Sequence, residues 1–70
     1  MLAKGTRVHF LGIGGIGVSA VARVAIQQGL VVSGSDVRRS ALTDAMAVAG
    51  ARVCIGQRPE NLGDAQLVAV

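Results

Sequence analysis

Short apolar runs alternate along the chain with segments in which apolar residues recur at helical spacing. The runs are rich in valine and bounded by glycine or polar residues, which is typical of β-strands. Four such runs predict strands at residues 7–12, 30–35, 52–55 and 66–70. The last run closes the sequence with no turn or polar residue after it, so we expect the chain to stop within a strand.

The first segment of helical spacing covers about residues 15–28. Ser19, Arg23 and Gln27 are four residues apart and form a polar stripe, and Gly29 is placed to end the helix. The opposite face is predicted to be the apolar one and contains Ile16, Ala20, Val21 and Val24. This segment is therefore predicted to be an amphipathic helix.

A second helix is predicted between an N-cap at Ser40 and a terminator at Gly50. Its apolar positions follow the helical period and are Leu42, Ala45, Met46 and Ala49. Strands separated by helices imply right-handed parallel crossovers. We therefore predict an α/β fold, half of a doubly wound (Rossmann-like) parallel sheet. Its element order is β-α-β-α-β-β and its strand order 3-2-1-4.

Composition limits what such a chain can be. Seventy residues suffice for one small domain, and a single cysteine and a single histidine exclude both an internal disulfide and a cysteine/histidine zinc site. We expect Cys54 to be a small buried residue and His9 a structural one. The net charge of +3 is scattered, without a basic stripe, which favours a small anionic ligand over nucleic acid.

The beginning of the chain has some features of a secretory signal, with Lys4 and Arg7 preceding an apolar stretch. Four glycines fall within that stretch, and each would cost a helix roughly 1 kcal/mol relative to alanine. Arg23 interrupts the stretch before it reaches the ~18 residues of a membrane span. We therefore expect a cytoplasmic protein with no membrane partner.

Residues 12–17 match the pattern G-x-G-x-x-G between a predicted strand and a predicted helix. Gly12 would permit a tight turn, Gly14 would let a diphosphate approach the main chain, and Gly17 would let the helix lie close to the strand. The free amides at the start of the helix would then face the anion. In the alternative interpretation these glycines serve only the packing of the helix on the sheet.

Asp36 ends the next predicted strand, about 20 residues after the glycines, where a carboxylate can accept hydrogen bonds from ribose hydroxyls. Ser35 and Asp36 could instead serve the local turn. Arg38 and Arg39 could receive a 2′-phosphate, but Asp36 would repel it, so a charged loop is favoured. These residues alone leave open a nicotinamide-dependent oxidoreductase half-domain and a nucleotide-sensing regulatory module.

Longer stretches of the sequence resemble one family specifically. The run Val8 to Ser19 with its doubled glycine, the run Val32-Ser33-Gly34-Ser35-Asp36 and the run Ser40 to Thr43 closely resemble the N-terminal domain of the Mur ligases of bacterial peptidoglycan synthesis. The match is to the branch that adds L-alanine to UDP-N-acetylmuramate, and it covers essentially all 70 residues.

This resemblance implies a domain that holds a UDP-sugar and not NAD. It places the diphosphate on the main chain of Ile13, Gly14, Gly15, Ile16 and Gly17. It places Ser35 and Asp36 at the ribose, and it puts Gln57 near the uracil, where the family often has histidine.

The resemblance also implies ATP-dependent amide ligation with Mg²⁺, in which the sugar carboxylate is phosphorylated and then attacked by the amine of L-alanine. Such chemistry needs a G-x-x-x-x-G-K-[ST] loop, whereas the single lysine of this chain, Lys4, precedes the first strand. We therefore expect a substrate-binding lobe without catalytic residues or a metal site, cut from a longer enzyme.

Overall fold

The computed structural model describes residues 2–56 and 58–69, which form one four-stranded sheet and two α-helices. Every strand pair is parallel, and the order across the sheet is β3-β2-β1-β4. The strands are β1 (Arg7–Leu11), β2 (Val31–Asp36), β3 (Arg52–Ile55) and β4 (Leu67–Ala69). The predicted α/β class and the strand order 3-2-1-4 are thus confirmed, and Asp36 is the last residue of β2 itself.

The helices begin and end close to their predicted positions. Helix α1 spans Ile16–Gln27 and helix α2 spans Ala41–Ala49. Ser40 caps α2 as predicted, since its hydroxyl accepts a hydrogen bond from the amide of Thr43. Gly50 takes the left-handed conformation that ends α2, with φ of 118°. A 3-10 helix, Pro59–Leu62, lies in the predicted connection to β4.

The buried face of α1 is not the predicted one. Ser19, Ala22 and Ala25 are buried, whereas Ile16, Val21 and Val24 are 85%, 60% and 52% exposed. Ala22 and Ala25 share one core cluster with valine and phenylalanine side chains of β1 and β2. Since protein interiors are close-packed, small side chains let this helix lie close to the sheet. The prediction that Ile16, Ala20, Val21 and Val24 form the inward-facing stripe was therefore wrong, since all four are exposed.

Alternation along β1 separates the two faces of the sheet. Val8 and Phe10 belong to the core cluster beneath the helices, and His9, between them, points to the opposite face. His9 is fully buried there, despite being polar. The remainder of the core is aliphatic, as the single aromatic residue requires; the buried cluster is Val8, Phe10, Ile13, Ala22, Ala25, Val32, Met46 and Ala51.

Candidate functional site

The glycine turn connects the carboxyl end of β1 to the start of α1. Gly12 has φ of 73°, the left-handed conformation that the predicted tight turn requires. The amides of Gly12 and Ile13 donate to the carbonyl of Ser35 at 2.8 and 3.0 Å, which ties the turn to the end of β2. The Ile13 side chain is fully buried and lies directly over Gly34, where any side chain would overlap it.

The amides of the turn differ in what they already bind. Gly14 donates to Oδ2 of Asp36 at 2.9 Å, and Gly15 donates to the carbonyl of Gly12 at 2.9 Å. The first backbone hydrogen bond of the helix is donated by the amide of Ser19 to the carbonyl of Gly15. Among the described residues, the amides at positions 16–18 therefore have no backbone acceptor, as expected for the first turn of a helix.

These three amides form the anion-binding potential of the site. The N-terminus of α1 has no side-chain cap and no acidic residue in its first turn, and the carboxylate that lies beside it, that of Asp36, binds the Gly14 amide of the turn before it. Of the residues predicted to bind a diphosphate, Ile16 and Gly17 lie at this terminus. Ile13, Gly14 and Gly15 form the turn beneath it, with their amides engaged within the chain. Val18 was missed by the sequence motif, although its amide belongs to the same helical turn.

Gly14 and Gly17 have different surroundings. A Cβ on Gly14 would lie 2.8 Å from both Oδ2 of Asp36 and Cγ2 of Thr43, so Gly14 is required by contacts within the chain. A Cβ on Gly17 would meet no atom within 4 Å. The predicted role of Gly17 in close packing of helix on strand was therefore wrong, and the close approach of the turn to the sheet occurs at Gly34 instead.

The carboxylate of Asp36 lies beside the turn, as the motif predicts. Its Oδ2 accepts from the Gly14 amide, and its Oδ1 lies 3.5 Å from the amide of Arg38. Asp36 is half-buried and retains lone pairs that a ribose hydroxyl could use.

Arg39, a candidate for a 2′-phosphate, is held by another residue. It pairs with Asp44 at 2.8 Å, and this hydrogen bond raises the pKa of the Arg39 guanidinium. The structure therefore ties Arg39 to α2.

Ser35 is buried in a polar network on the sheet face opposite the helices. Its hydroxyl lies 3.2 Å from Nε2 of His9, and Nδ1 of His9 lies 2.8 Å from the hydroxyl of Ser33. Burial lowers the pKa of His9, and the positive charge of Arg52 lowers it further, so the ring is neutral at pH 7. One ring nitrogen then donates and the other accepts. The prediction that His9 is structural agrees with this placement.

The Ser35–His9–Ser33 arrangement has the connectivity of a catalytic triad without its chemistry. Ser35 is only 1% exposed, and a neutral serine hydroxyl replaces the carboxylate that would stabilise a protonated imidazole.

A cavity of about 210 Å³ lies against this network. His9 and Ser35 line it together with residues of β1, β4 and the 3-10 helix, among them Leu11, Arg58, Pro59, Leu62 and Val68. Gln57, the residue predicted near the uracil, lies outside the described residues.

Other kinds of site find little support in the described part of the chain. No group of three or more His, Cys, Asp or Glu side chains in residues 2–56 and 58–69 could hold a metal ion. Lys4 lies before β1 with its side chain beside Gly29, and the sequence has no G-x-x-x-x-G-K-[ST] loop, so these residues do not fit Mg²⁺–ATP. Cys54 is half-buried and accepts a hydrogen bond from Arg52 at 3.2 Å. No helix in the described ranges is long and apolar enough to cross a membrane.

Comparison of the sequence with known proteins identifies a family. The sequence model for "Mur ligase family, catalytic domain" matches residues 7–70. The chain is 50% identical over 62 residues to the UDP-N-acetylmuramate–L-alanine ligase of Aquifex aeolicus, covering 89% of this chain and 14% of that protein. The ligase of the same name from Paenarthrobacter aurescens is 52% identical over 62 residues, again 89% of this chain and 14% of that protein. That of Pelobacter propionicus is 44% identical over the whole chain and 15% of its own length.

The chain thus spans about one seventh of the length of these relatives, and the family model covers nearly all of it. The residues that the family model matches include the glycine turn, Asp36 and α2. This chain belongs to the Mur ligase family.

Proposed function

We propose that this chain is the N-terminal UDP-N-acetylmuramate-binding domain of an ATP-dependent ligase that adds L-alanine to that substrate in bacterial peptidoglycan synthesis. The observation that carries the proposal is the uncapped N-terminus of α1. It follows the glycine turn and stands beside Asp36 at the carboxyl ends of β1 and β2. In parallel α/β sheets ligands bind at the carboxyl edge, where the strand order reverses, and here that point lies between β1 and β4.

In this proposal the UDP diphosphate lies against the main chain of Ile13, Gly14, Gly15, Ile16 and Gly17. The amides at positions 16–18 donate to it, and the dipole of α1 contributes roughly 0.3–1 kcal/mol per charge. Asp36 accepts from the ribose hydroxyls, which suits a ribose without a 2′-phosphate. Ser35, from the cavity that it lines, and Gln57 are assigned to the nucleoside end of the substrate.

The bond-forming chemistry belongs to other parts of the same protein. ATP would activate the sugar carboxylate by phosphorylating it, and the amine of L-alanine would then displace phosphate to form the amide. We assign ATP, Mg²⁺ and L-alanine to domains outside this chain, because the described residues hold no metal-binding cluster and the sequence has no G-x-x-x-x-G-K-[ST] loop. The reaction would take place in the bacterial cytoplasm.

Ile16 offers a direct test, because its side chain is 85% exposed at the first position of α1. In the full-length protein, Ile16→Asp places a negative charge at the proposed diphosphate site, and Ile16→Asn is the neutral control of the same shape. We expect Ile16→Asp to weaken UDP-N-acetylmuramate binding about tenfold or more by calorimetry. Its thermal stability should stay level or rise, since acids suit a helix N-terminus. Ile16→Asn should bind within about twofold of wild type.

Equal binding by the aspartate and asparagine variants would contradict a diphosphate at this helix. Tight binding of NADH or NADPH with no binding of UDP-sugars would favour an oxidoreductase half-domain instead. A ligand-dependent change of oligomeric state without turnover would favour a regulatory module. Release of ADP that depends on both UDP-N-acetylmuramate and L-alanine would support the ligase.

A further inference from the structure

His9 is a fully buried polar residue that the proposed binding of UDP-N-acetylmuramate does not use. Its ring bridges two hydroxyls on the neighbouring strand, Ser33 through Nδ1 and Ser35 through Nε2. Burial of a polar ring costs free energy unless its nitrogens are bonded, and here both have partners. A leucine would fill such a position between Val8 and Phe10 without needing partners.

The bridge affects the glycine turn through the last two residues of β2, Ser35 and Asp36. The carbonyl of Ser35 accepts both the Gly12 and the Ile13 amides, and the adjacent carboxylate of Asp36 accepts the Gly14 amide. Residues 35 and 36 therefore hold three consecutive amides of the turn that leads into α1. A shift of Ser35 relative to β1 would move the whole turn, and with it the amides at positions 16–18.

We propose that His9 is a positioning residue for the anion-binding turn. Its ring fixes Ser35 against β1, and Ser35 in turn fixes Gly12 and Ile13 through its carbonyl. The backbone pairing of β2 with β1 and with β3 sets the register, and the imidazole adds side-chain contacts to Ser33 and Ser35. The effect on the ligand rests on the proposed binding of UDP, whereas the effect on the turn amides does not.

The test uses the full-length protein and separates positioning from simple packing. His9→Leu leaves the hydroxyls of Ser33 and Ser35 without the ring, so its melting temperature should fall. The triple variant His9→Leu/Ser33→Ala/Ser35→Ala removes the ring together with both hydroxyls that contact it and should regain part of that stability, because matched apolar replacement is nearly neutral. Ser33→Ala alone removes the contact at the end of the bridge away from the turn and serves as a matched control for Ser35→Ala.

The first measurement is amide hydrogen exchange of Gly12 and Ile13 in ligand-free protein labelled with ¹⁵N-glycine and ¹⁵N-isoleucine. We expect exchange about tenfold faster in the triple variant despite its partly recovered stability, and faster in Ser35→Ala than in Ser33→Ala. We also expect UDP affinity to be about tenfold weaker in His9→Leu, which keeps the Ser35 hydroxyl that the proposed function assigns to the nucleoside. Wild-type exchange rates in the triple variant would overturn the proposal, as would equal rates in the two serine variants.

Loss of the proposed function would look different. If wild-type protein failed to bind UDP at all, the proposed substrate would be wrong, and the exchange rates would still decide the role of His9. If exchange accelerated while UDP affinity stayed at the wild-type level, the turn would move without affecting the ligand, and positioning of the anion site would be rejected.

Discussion

Gly14 and Gly17 belong to one glycine motif but answer different physical needs. At Gly14 the space of a side chain is already filled by Asp36 and by the first turn of α2, where Thr43 and Ser40 approach the Cβ position to 2.8 and 3.2 Å. At Gly17 that space is open. Alanine substitution at each position therefore distinguishes a glycine required by packing within the chain, Gly14, from one whose side-chain space is open to a ligand, Gly17.

We expect Gly14→Ala to lower the free energy of unfolding of the ligand-free protein by about 1–3 kcal/mol, the usual cost of overpacking. Gly17→Ala is expected to raise it by about 0.5–1 kcal/mol, because Gly17 is helical and alanine loses less backbone entropy on folding. Urea denaturation of both variants measures the two changes. Equal losses of stability would contradict the open space at Gly17. Loss of UDP binding in the stabilised Gly17→Ala would place the ligand against this residue.

The motif predicted the glycine turn and Asp36 beside it, because both depend on residues close in sequence or at a known spacing. It did not predict the partner of each glycine. The close approach at Gly34 depends on where the Ile13 side chain is buried, and the need for Gly14 depends on how α2 lies against Asp36. Both are tertiary contacts, which a local pattern does not contain.

At the scale of the element, α1 shows why hydrophobic size is a poor guide to a buried face. The pattern selected Val21 and Val24, the larger residues, whereas the sheet accepts Ala22 and Ala25. α2 was predicted better, since Met46 is buried on the expected side. The fully buried α1 positions are all small, which lets the helix lie close to the sheet, while the larger Val18 and Ile26 pack at the margin of the core.

The pairing of β1 with β2 carries a pH dependence through His9. Its pKa lies below the ordinary value of about 6.5, mainly because of burial and secondarily because of Arg52. The folded state therefore holds fewer protons at this residue than the unfolded state once pH falls below about 6.5. The stabilising contribution is complete above that pH and is lost as the pH falls further.

We expect the free energy of unfolding of the wild-type protein to decrease between about pH 6.5 and pH 5, by at most about 1.4 kcal/mol per pH unit from this one group. The triple variant His9→Leu/Ser33→Ala/Ser35→Ala should lack that component, because leucine does not titrate. Urea denaturation at fixed pH values within this window tests the prediction. Most carboxylates titrate below the window, so they contribute little to the change. The same slope in both proteins would mean that His9 is not the group responsible.

For the whole molecule, the order 3-2-1-4 was predictable because helical connections between strands impose one crossover hand. Which surface stays apolar was not. Val21 and Val18 border an open groove of about 280 Å³ beside Ala69 of β4, one of the two edge strands of the sheet. Gly17 also lines this groove, so the apolar surface adjoins the first turn of α1 at the carboxyl edge of the sheet.

The exposed amides at the start of α1 lead to a prediction about ligand class in the full-length protein. If the site is built around an anion, UDP should raise the melting temperature far more than uridine, which offers the same ribose and base without the diphosphate. At a concentration of about 100 times its dissociation constant, UDP should contribute about 2.7 kcal/mol of stability. The shift in melting temperature caused by UDP should shrink between about 50 and 300 mM NaCl, because the amides of α1 lie at an accessible surface where salt screens charge.

The variant Ile16→Asp separates the two parts of the ligand. It should abolish most of the melting-temperature shift caused by UDP and leave the shift caused by uridine intact. Equal shifts for uridine and UDP would mean that the nucleoside, and not the helix N-terminus, dominates recognition.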